Sequence, residues 1–323
     1  MSHKSNRHRI AFPRKAFLKE SRQEYSGSLS RRILLELIQN SIDAKSTKII
    51  INYNPETHTL ICDDNGVGMD KETLIKGQLT FAGSVKTSDG IGAMGASKKI
   101  VLFSSRGYQI YTRNLKAVGI NVNYRLYENQ ESRQGTKIKI RLFAPEIQKD
   151  FREQLKFIID RSFFACEIYF NGELFKTKFR MPESATETGA IFPSEFKNRI
   201  VVRLGGLFSF DIYTNSEKGY IYEVIGKSKD AFTQNREGFQ QNTKFLQDFT
   251  AFESKLNNNT MSGIDAEVKF RKSRQTMTNY YGIEIAGQIP VGFKAGKKHR
   301  MIFSYCKAIC EMLGINLDRK SVV

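Results

Sequence analysis

The chain reads as an α/β protein: two consecutive α/β units behind a basic N-terminal arm. Three observations predict this. Apolar residues recur at helical spacing around Leu34, short β-branched runs separated by turn residues follow, and a second succession of helix and strands begins after Pro145. The expected division is a basic arm over 1–28, a first unit over 29–145, a second over 146–255 and a C-terminal extension over 256–323.

The arm is the strongest electrostatic feature. Residues 1 to 32 hold nine Lys or Arg against Glu20 and Glu24, within a chain of formal net charge +18. Clustered cations attract nucleic acid or an acidic protein surface, although a charge run is often only a solvated tail. No run of about eighteen apolar residues offers a membrane span, and the first residues lack a signal-type apolar stretch. A cytoplasmic or nuclear protein with no membrane partner is expected. Cys62, Cys166, Cys306 and Cys310 are scattered in apolar segments, which fits neither a disulfide framework nor a zinc site.

In "SLSRRILLELIQNSIDA", Leu34, Leu37, Ile38 and Ile42 share a helical stripe, predicting a helix from about Leu29 to Ala44 with Ser28 or Ser30 as N-cap. "TKIIINYN" and "THTLICDD", joined through Pro55-Glu56, read as a β-hairpin. The Gly- and Ser-rich stretch from Leu74 to Ser97 reads as a mobile loop leading into a helix at Ser97. "GYQIYTR", "VGINVNYRLY" and "GTKIKIRLF" predict three further strands. After Pro145 come a helix, an Asn-Gly hairpin in "CEIYFNGELF", strands in "NRIVVRLGGLFSFDIYT" and "GYIYEVIG", and a helix in "TKFLQDFTAFESKL".

Four pieces carry chemistry. Glu36, Asn40 and Asp43 are spaced i, i+4, i+7, which places three polar groups on one helix face. A carboxylate there can accept a proton from water, and a carboxamide oxygen can hold magnesium. Asp64 ends a strand ahead of Gly66, Gly68 and Met69, so it can accept the exocyclic amine of adenine, where guanine presents a carbonyl instead. "SDGIGAMGASKK", with Lys98 and Lys99, sets glycines before a helix start suited to phosphate. Thr136 opens a strand with a hydroxyl. Each alone has an ordinary structural explanation: an exposed helix face, an Asp-capped turn, a flexible loop, a β-branched strand residue.

Together and in this order they resemble the GHKL ATPases, the family of gyrase B-type topoisomerase subunits, MutL, the large heat-shock chaperone ATPases, the MORC proteins and sensor histidine kinases. The resemblance covers roughly Leu29 to Leu142. The family's E-x-x-x-N-x-x-D-A box is met by Glu36, Asn40, Asp43 and Ala44. Its D-x-G-x-G motif is met by Asp64, Gly66 and Gly68. Its phosphate-loop glycine pattern is met by Ile91, Gly92 and Gly95, with Ser97 in place of the last glycine, and its G-T pair is Gly135-Thr136.

The resemblance implies a two-layer Bergerat-type fold, ATP and Mg2+ as cofactors, Glu36 as general base, Asn40 as magnesium ligand and Lys86 as a candidate phosphate contact in an ATP lid. It also implies a transducer-like second unit that returns a basic residue to the γ-phosphate, for which Arg236, beside Gln234 and Asn235, is the candidate. ATP-gated homodimerisation is expected, with a clamp on nucleic acid as the output and a chaperone-like or signalling switch gripping a protein as the alternative. No endonuclease or Toprim-like acidic cluster is found, so any cutting or strand passage falls to a partner subunit.

Overall fold

The computed structural model describes residues 28–79, 101–102, 105–120, 123–142, 151–178, 180, 184–225, 228–233 and 238–257. Residues 1–27, 80–100 and 258–323, which hold nearly all of the basic arm, most of the glycine-rich loop and nearly all of the C-terminal extension, fall outside them.

An eight-stranded sheet takes its strands in the order β5-β4-β3-β6-β2-β1-β7-β8. These are β1 (Lys48–Asn54), β2 (Thr59–Asp64), β3 (Ser105–Arg113), β4 (Leu115–Ile120), β5 (Asn123–Tyr127), β6 (Arg133–Leu142), β7 (Glu167–Phe170) and β8 (Glu173–Phe175). All neighbours are antiparallel except β1 and β7.

Helix α1 (Leu29–Asp43) and helix α2 (Phe151–Arg161) lie on one face. The reason is alternation: Ile49 and Ile51, Leu60 and Cys62, Ile110, and Ile138 and Ile140 point to that side and are buried with Ile33, Leu34, Leu37 and Ile38 of α1 and Leu155 and Ile158 of α2. Burying a stripe of this kind from both layers stabilises by about 25 cal/mol per Å2 of apolar surface removed from water.

The predicted helix and first hairpin are both present, the helix ending at Asp43 after Ser28 as N-cap residue; the Ser28 side chain makes no cap hydrogen bond, and Ser30 is inside the helix. Four differences stand out. The run after Asp70 is not a loop at its start: Asp70 accepts from the Thr73 N–H at 2.8 Å and opens a π-helical segment over Thr73–Leu79. "VGINVNYRLY" is not one strand but contributes to two, β4 and β5, paired with each other. "RIVVRLGGLFSFDIY" is likewise two strands, because Gly205 and Gly206 both take positive φ (57° and 77°), the conformation of a two-residue hairpin turn. Finally, the first sheet runs past residue 145, because β7 lies parallel to β1 and the predicted Asn-Gly hairpin, with Asn171 at φ 47° and Gly172 at φ 84°, adds β8 to the same sheet.

The second sheet has the order β12-β11-β13-β10-β9, built from β9 (Ser184–Ala185), β10 (Gly189–Ser194), β11 (Arg199–Leu204), β12 (Leu207–Tyr213) and β13 (Gly219–Val224). Its core is aromatic: Tyr222, Phe239, Phe249 and Phe252 meet at centroid distances of 4.9 to 6.4 Å, the two Phe of helix α4 (Lys244–Asn257) among them; the short helix α3 (Ser228–Ala231) precedes it.

The two sheets are joined through α1 and α2. The guanidiniums of Arg31 and Arg161 each lie 3.7 Å from the Phe157 ring centroid, and Arg161 pairs with Asp211 of β12 at 3.5 Å. Phe163 donates its N–H to the Gly206 carbonyl at 2.7 Å, and Gly206 in turn donates to buried Glu223, which pairs with Arg203.

Candidate nucleotide site

The site is organised around Asp64, the last residue of β2. Its inward position follows from alternation: Leu60, Cys62 and Asp64 face the helices, whereas Asp63 faces outward and is paired with Arg133 and Lys137. Four protein donors surround the Asp64 carboxylate. Oδ1 accepts from the Gly66 N–H at 2.9 Å, the Thr136 N–H at 3.2 Å and the Ser46 hydroxyl at 3.2 Å. Among the described residues, Oδ2 has only the Ser41 hydroxyl, at 3.3 Å, and that hydroxyl is shared with the Leu37 carbonyl at 3.1 Å. A hydroxyl has one hydrogen, so Oδ2 retains acceptor capacity. Burial pushes the Asp64 carboxyl above its usual range, while the same four donors pull the other way. The adjacent Cys62 thiol is pushed up too, first by burial and next by Asp64, which makes it a packing group and not a nucleophile.

The glycines serve backbone packing. A Cβ on Gly66 would lie 2.6 Å from both the Ala44 carbonyl oxygen and the Ser46 hydroxyl, and a Cβ on Gly135 would lie 1.9 Å from the Asp64 carbonyl oxygen. Gly68 and Gly135 also take positive φ (67° and 71°). The expected role of Gly66 and Gly68 in admitting a flat ligand is therefore preceded by a structural one: they let the loop after β2 fold against the end of α1 and against β6. That loop leaves the apolar side chain of Val67 66% exposed and Met69 half-buried.

Thr136 is buried, and its amide, more than its hydroxyl, holds Asp64. Its hydroxyl lies 3.3 Å from that of Thr112. Thr112 is fully buried, accepts from the Met69 N–H at 2.7 Å and donates to the Gly135 carbonyl at 3.3 Å, tying the glycine loop to β3 and β6. Sequence reasoning missed Thr112, Ser41 and Ser46. Thr112 had a signal, the alternation Tyr108, Ile110, Thr112, which puts a hydroxyl on the inward face; the serines had none beyond a polar residue amid Ile38 and Ile42 and a turn position.

On α1, Glu36 is only 2% exposed and forms an ion pair with Arg32 at 3.1 Å, one helical turn earlier. Asn40 and Asp43 are half-buried farther along the helix. The structure thus brings Asp64, Gly66, Gly68, Met69 and Thr136 together and joins them to α1 through Ser41. Lys86, Ile91, Gly92, Gly95, Ser97, Lys98 and Arg236 lie outside the described residues. For magnesium, the candidate donor is the Asn40 carboxamide oxygen, a hard ligand that suits the ion's preference.

Residues 28–155 match the family model described as histidine kinase-, DNA gyrase B-, and HSP90-like ATPase. No curated protein sequence matches the chain. Among solved structures, the ATPase region of Saccharomyces cerevisiae topoisomerase II is similar at TM-score 0.52 and 14% identity, over 75% of this chain and 91% of that one. The same region bound to ICRF-187 (dexrazoxane) is similar at TM-score 0.51 and 14% identity, over 84% of this chain and 96% of that one. Both overlaps are longer than residues 28–155, so the likeness of fold extends beyond the residues that the family model matches. Motifs, fold and family model agree in what residues 28–155 resemble, an ATPase domain of the GHKL type.

Proposed function

We propose that the chain binds Mg-ATP, hydrolyses it, and uses ATP binding to drive homodimerisation that closes a clamp on nucleic acid. The observation that carries the nucleotide part is the Asp64 carboxylate, held by the backbone of two elements and two serines yet with acceptor capacity left on Oδ2. An adenine amine donates to such an oxygen, and a guanine carbonyl is repelled by it.

Gly66, Gly68 and Met69 form the wall of the base pocket, with Val67 as apolar contact, and the Thr136 amide fixes the carboxylate. Glu36 accepts the proton of the attacking water, and Asn40 orients the metal, which supplies charge neutralisation on the phosphates when bound. Asp43 supports the same helix face. Ile91, Gly92, Gly95, Ser97 and Lys98 are proposed for the phosphates, Lys86 for the lid, and Arg236 as the γ-phosphate sensor from the second unit. The likeness of fold to a topoisomerase II ATPase region across most of the chain supports a transducer role for the second sheet.

The basic arm favours nucleic acid as the object gripped, with a partner subunit for any cutting. A protein-gripping switch is the alternative, since an acidic partner would suit the same arm. The deciding experiment is the ATPase rate with and without duplex DNA, single-stranded DNA, RNA and unfolded protein. Stimulation by nucleic acid supports the clamp; stimulation by unfolded protein alone transfers the function to the alternative; no turnover with any of them refutes the ATPase assignment.

A further inference from the structure

The face of the eight-stranded sheet turned away from α1 and α2 bears a pattern that nucleotide binding does not use. Cross-strand partners share a face, so register defines rows running across the sheet. One row reads Tyr127, Lys116, Tyr111, Lys137 from β5 to β6, and the neighbouring row sets Arg125 of β5 and Lys139 of β6 about Val118 and Gln109. Lys116 lies 5.3 Å from the Tyr111 ring centroid and 5.9 Å from that of Tyr127, a cation between two rings. Arg125, Lys139 and Arg141 are exposed and form no ion pair with any described residue. A groove of about 780 Å3 opens on this face, with Asn52, Asn54, Gln109, Lys139 and Arg141 among its walls.

An open sheet face must be polar to stay solvated, so cations alone would say nothing. Tyrosines alternating with lysines across adjacent strands, together with unpaired cations along a groove lined by amides, are a different matter. They match what an unpaired strand offers: base faces for stacking, base edges for amides, and phosphates for cations. A duplex hides its base faces and cannot use the rings.

We propose that this open sheet face binds single-stranded nucleic acid, with Tyr111 and Tyr127 as stacking platforms and Arg125, Lys139 and Arg141 as phosphate contacts. The site rests on and deepens the nucleic-acid reading proposed above, but it uses residues other than those of the basic arm and of the nucleotide pocket.

The test is binding of a labelled oligothymidylate to the full chain across a salt series. Lys139→Glu with Arg141→Glu should weaken binding tenfold or more and flatten the log–log salt slope by about 1.4, at about 0.7 per phosphate contact on a single strand. Tyr127→Ala should weaken binding by about five- to a hundredfold at unchanged slope, and Tyr127→Phe should restore it. ATP turnover and melting temperature should remain at wild-type values in all three, which separates this site from the nucleotide pocket and from misfolding. Wild-type affinity in both the charge and the Tyr127→Ala variants would overturn the proposal, as would absence of oligothymidylate binding by the wild type. Equal affinity for duplex DNA or anionic vesicles, indifferent to Tyr127→Ala, would reduce the face to a general cation surface. Loss of binding only when the arm's charges are reversed would leave the nucleic-acid reading standing and refute this site.

Discussion

The Ser41 hydroxyl of α1 lies 3.3 Å from Oδ2 of Asp64 at the end of β2, joining the helix that carries Glu36 and Asn40 to the carboxylate proposed for the base. Because that carboxyl is held above its usual range by burial, ionising it costs the folded state: the stability it contributes is fully present below its unfolded value and is lost as pH rises through the folded one. Asp64→Asn should remove this dependence, giving a melting temperature at neutral pH equal to or above wild type. It should nonetheless lose ATP affinity by tenfold or more, measured by calorimetry. Full ATP binding by a well-folded Asp64→Asn would refute the acceptor role.

Glu36 calls for two substitutions in place of one. Glu36→Ala removes the carboxylate that buried Arg32 pairs with, at a cost of about 3–5 kcal/mol in stability. Glu36→Gln keeps an oxygen acceptor and should cost less. Both should retain ATP binding and lose turnover by roughly a hundredfold or more, since neither amide nor methyl can take the water's proton. Wild-type turnover in Glu36→Gln would show that the base is elsewhere. Asn40→Ala should weaken nucleotide binding only when magnesium is present.

Two glycines with positive φ should respond differently to alanine. Gly135→Ala adds a Cβ 1.9 Å from the Asp64 carbonyl oxygen, backbone that cannot swing away, and should cost about 3 kcal/mol or more and displace the carboxylate. Gly172→Ala meets nothing within 4 Å, so only the left-handed conformation is strained, at about 1 kcal/mol. Thermal unfolding of both variants checks the ordering; equal shifts would mean the β2–β6 contact is looser than described.

Thr112→Val should leave the Met69 N–H without its acceptor, costing about 1–3 kcal/mol. ATP affinity should fall with it, because the loop of Gly66, Gly68 and Met69 is tied to β3 through that hydroxyl. Thr112→Ser should retain both properties. Nucleotide titration of the pair distinguishes a lost hydrogen bond from altered packing.

The sequence by itself determined the helix over Leu29–Asp43, the β1–β2 hairpin, the Asn171-Gly172 turn and the helix over Lys244–Asn257, because each is specified by neighbours a few residues apart: a helical stripe, alternation, or a turn pair. It also marked Asp64, Gly66, Gly68 and Thr136, by residue type and order along the chain. Tertiary structure alone decided that Asp64 meets Ser41, Ser46 and the Thr136 amide, since the last contact spans 72 positions in the chain. It decided that Glu36 is buried against Arg32, that β7 joins β1 across the expected boundary at 145, and that tyrosines and lysines from β3 to β6 align in one row. The physical reason is common to all of these: alternation says which residues share a face of one strand, but the partner strand and its register are fixed by burial of the whole sheet against α1 and α2, a condition no local window contains.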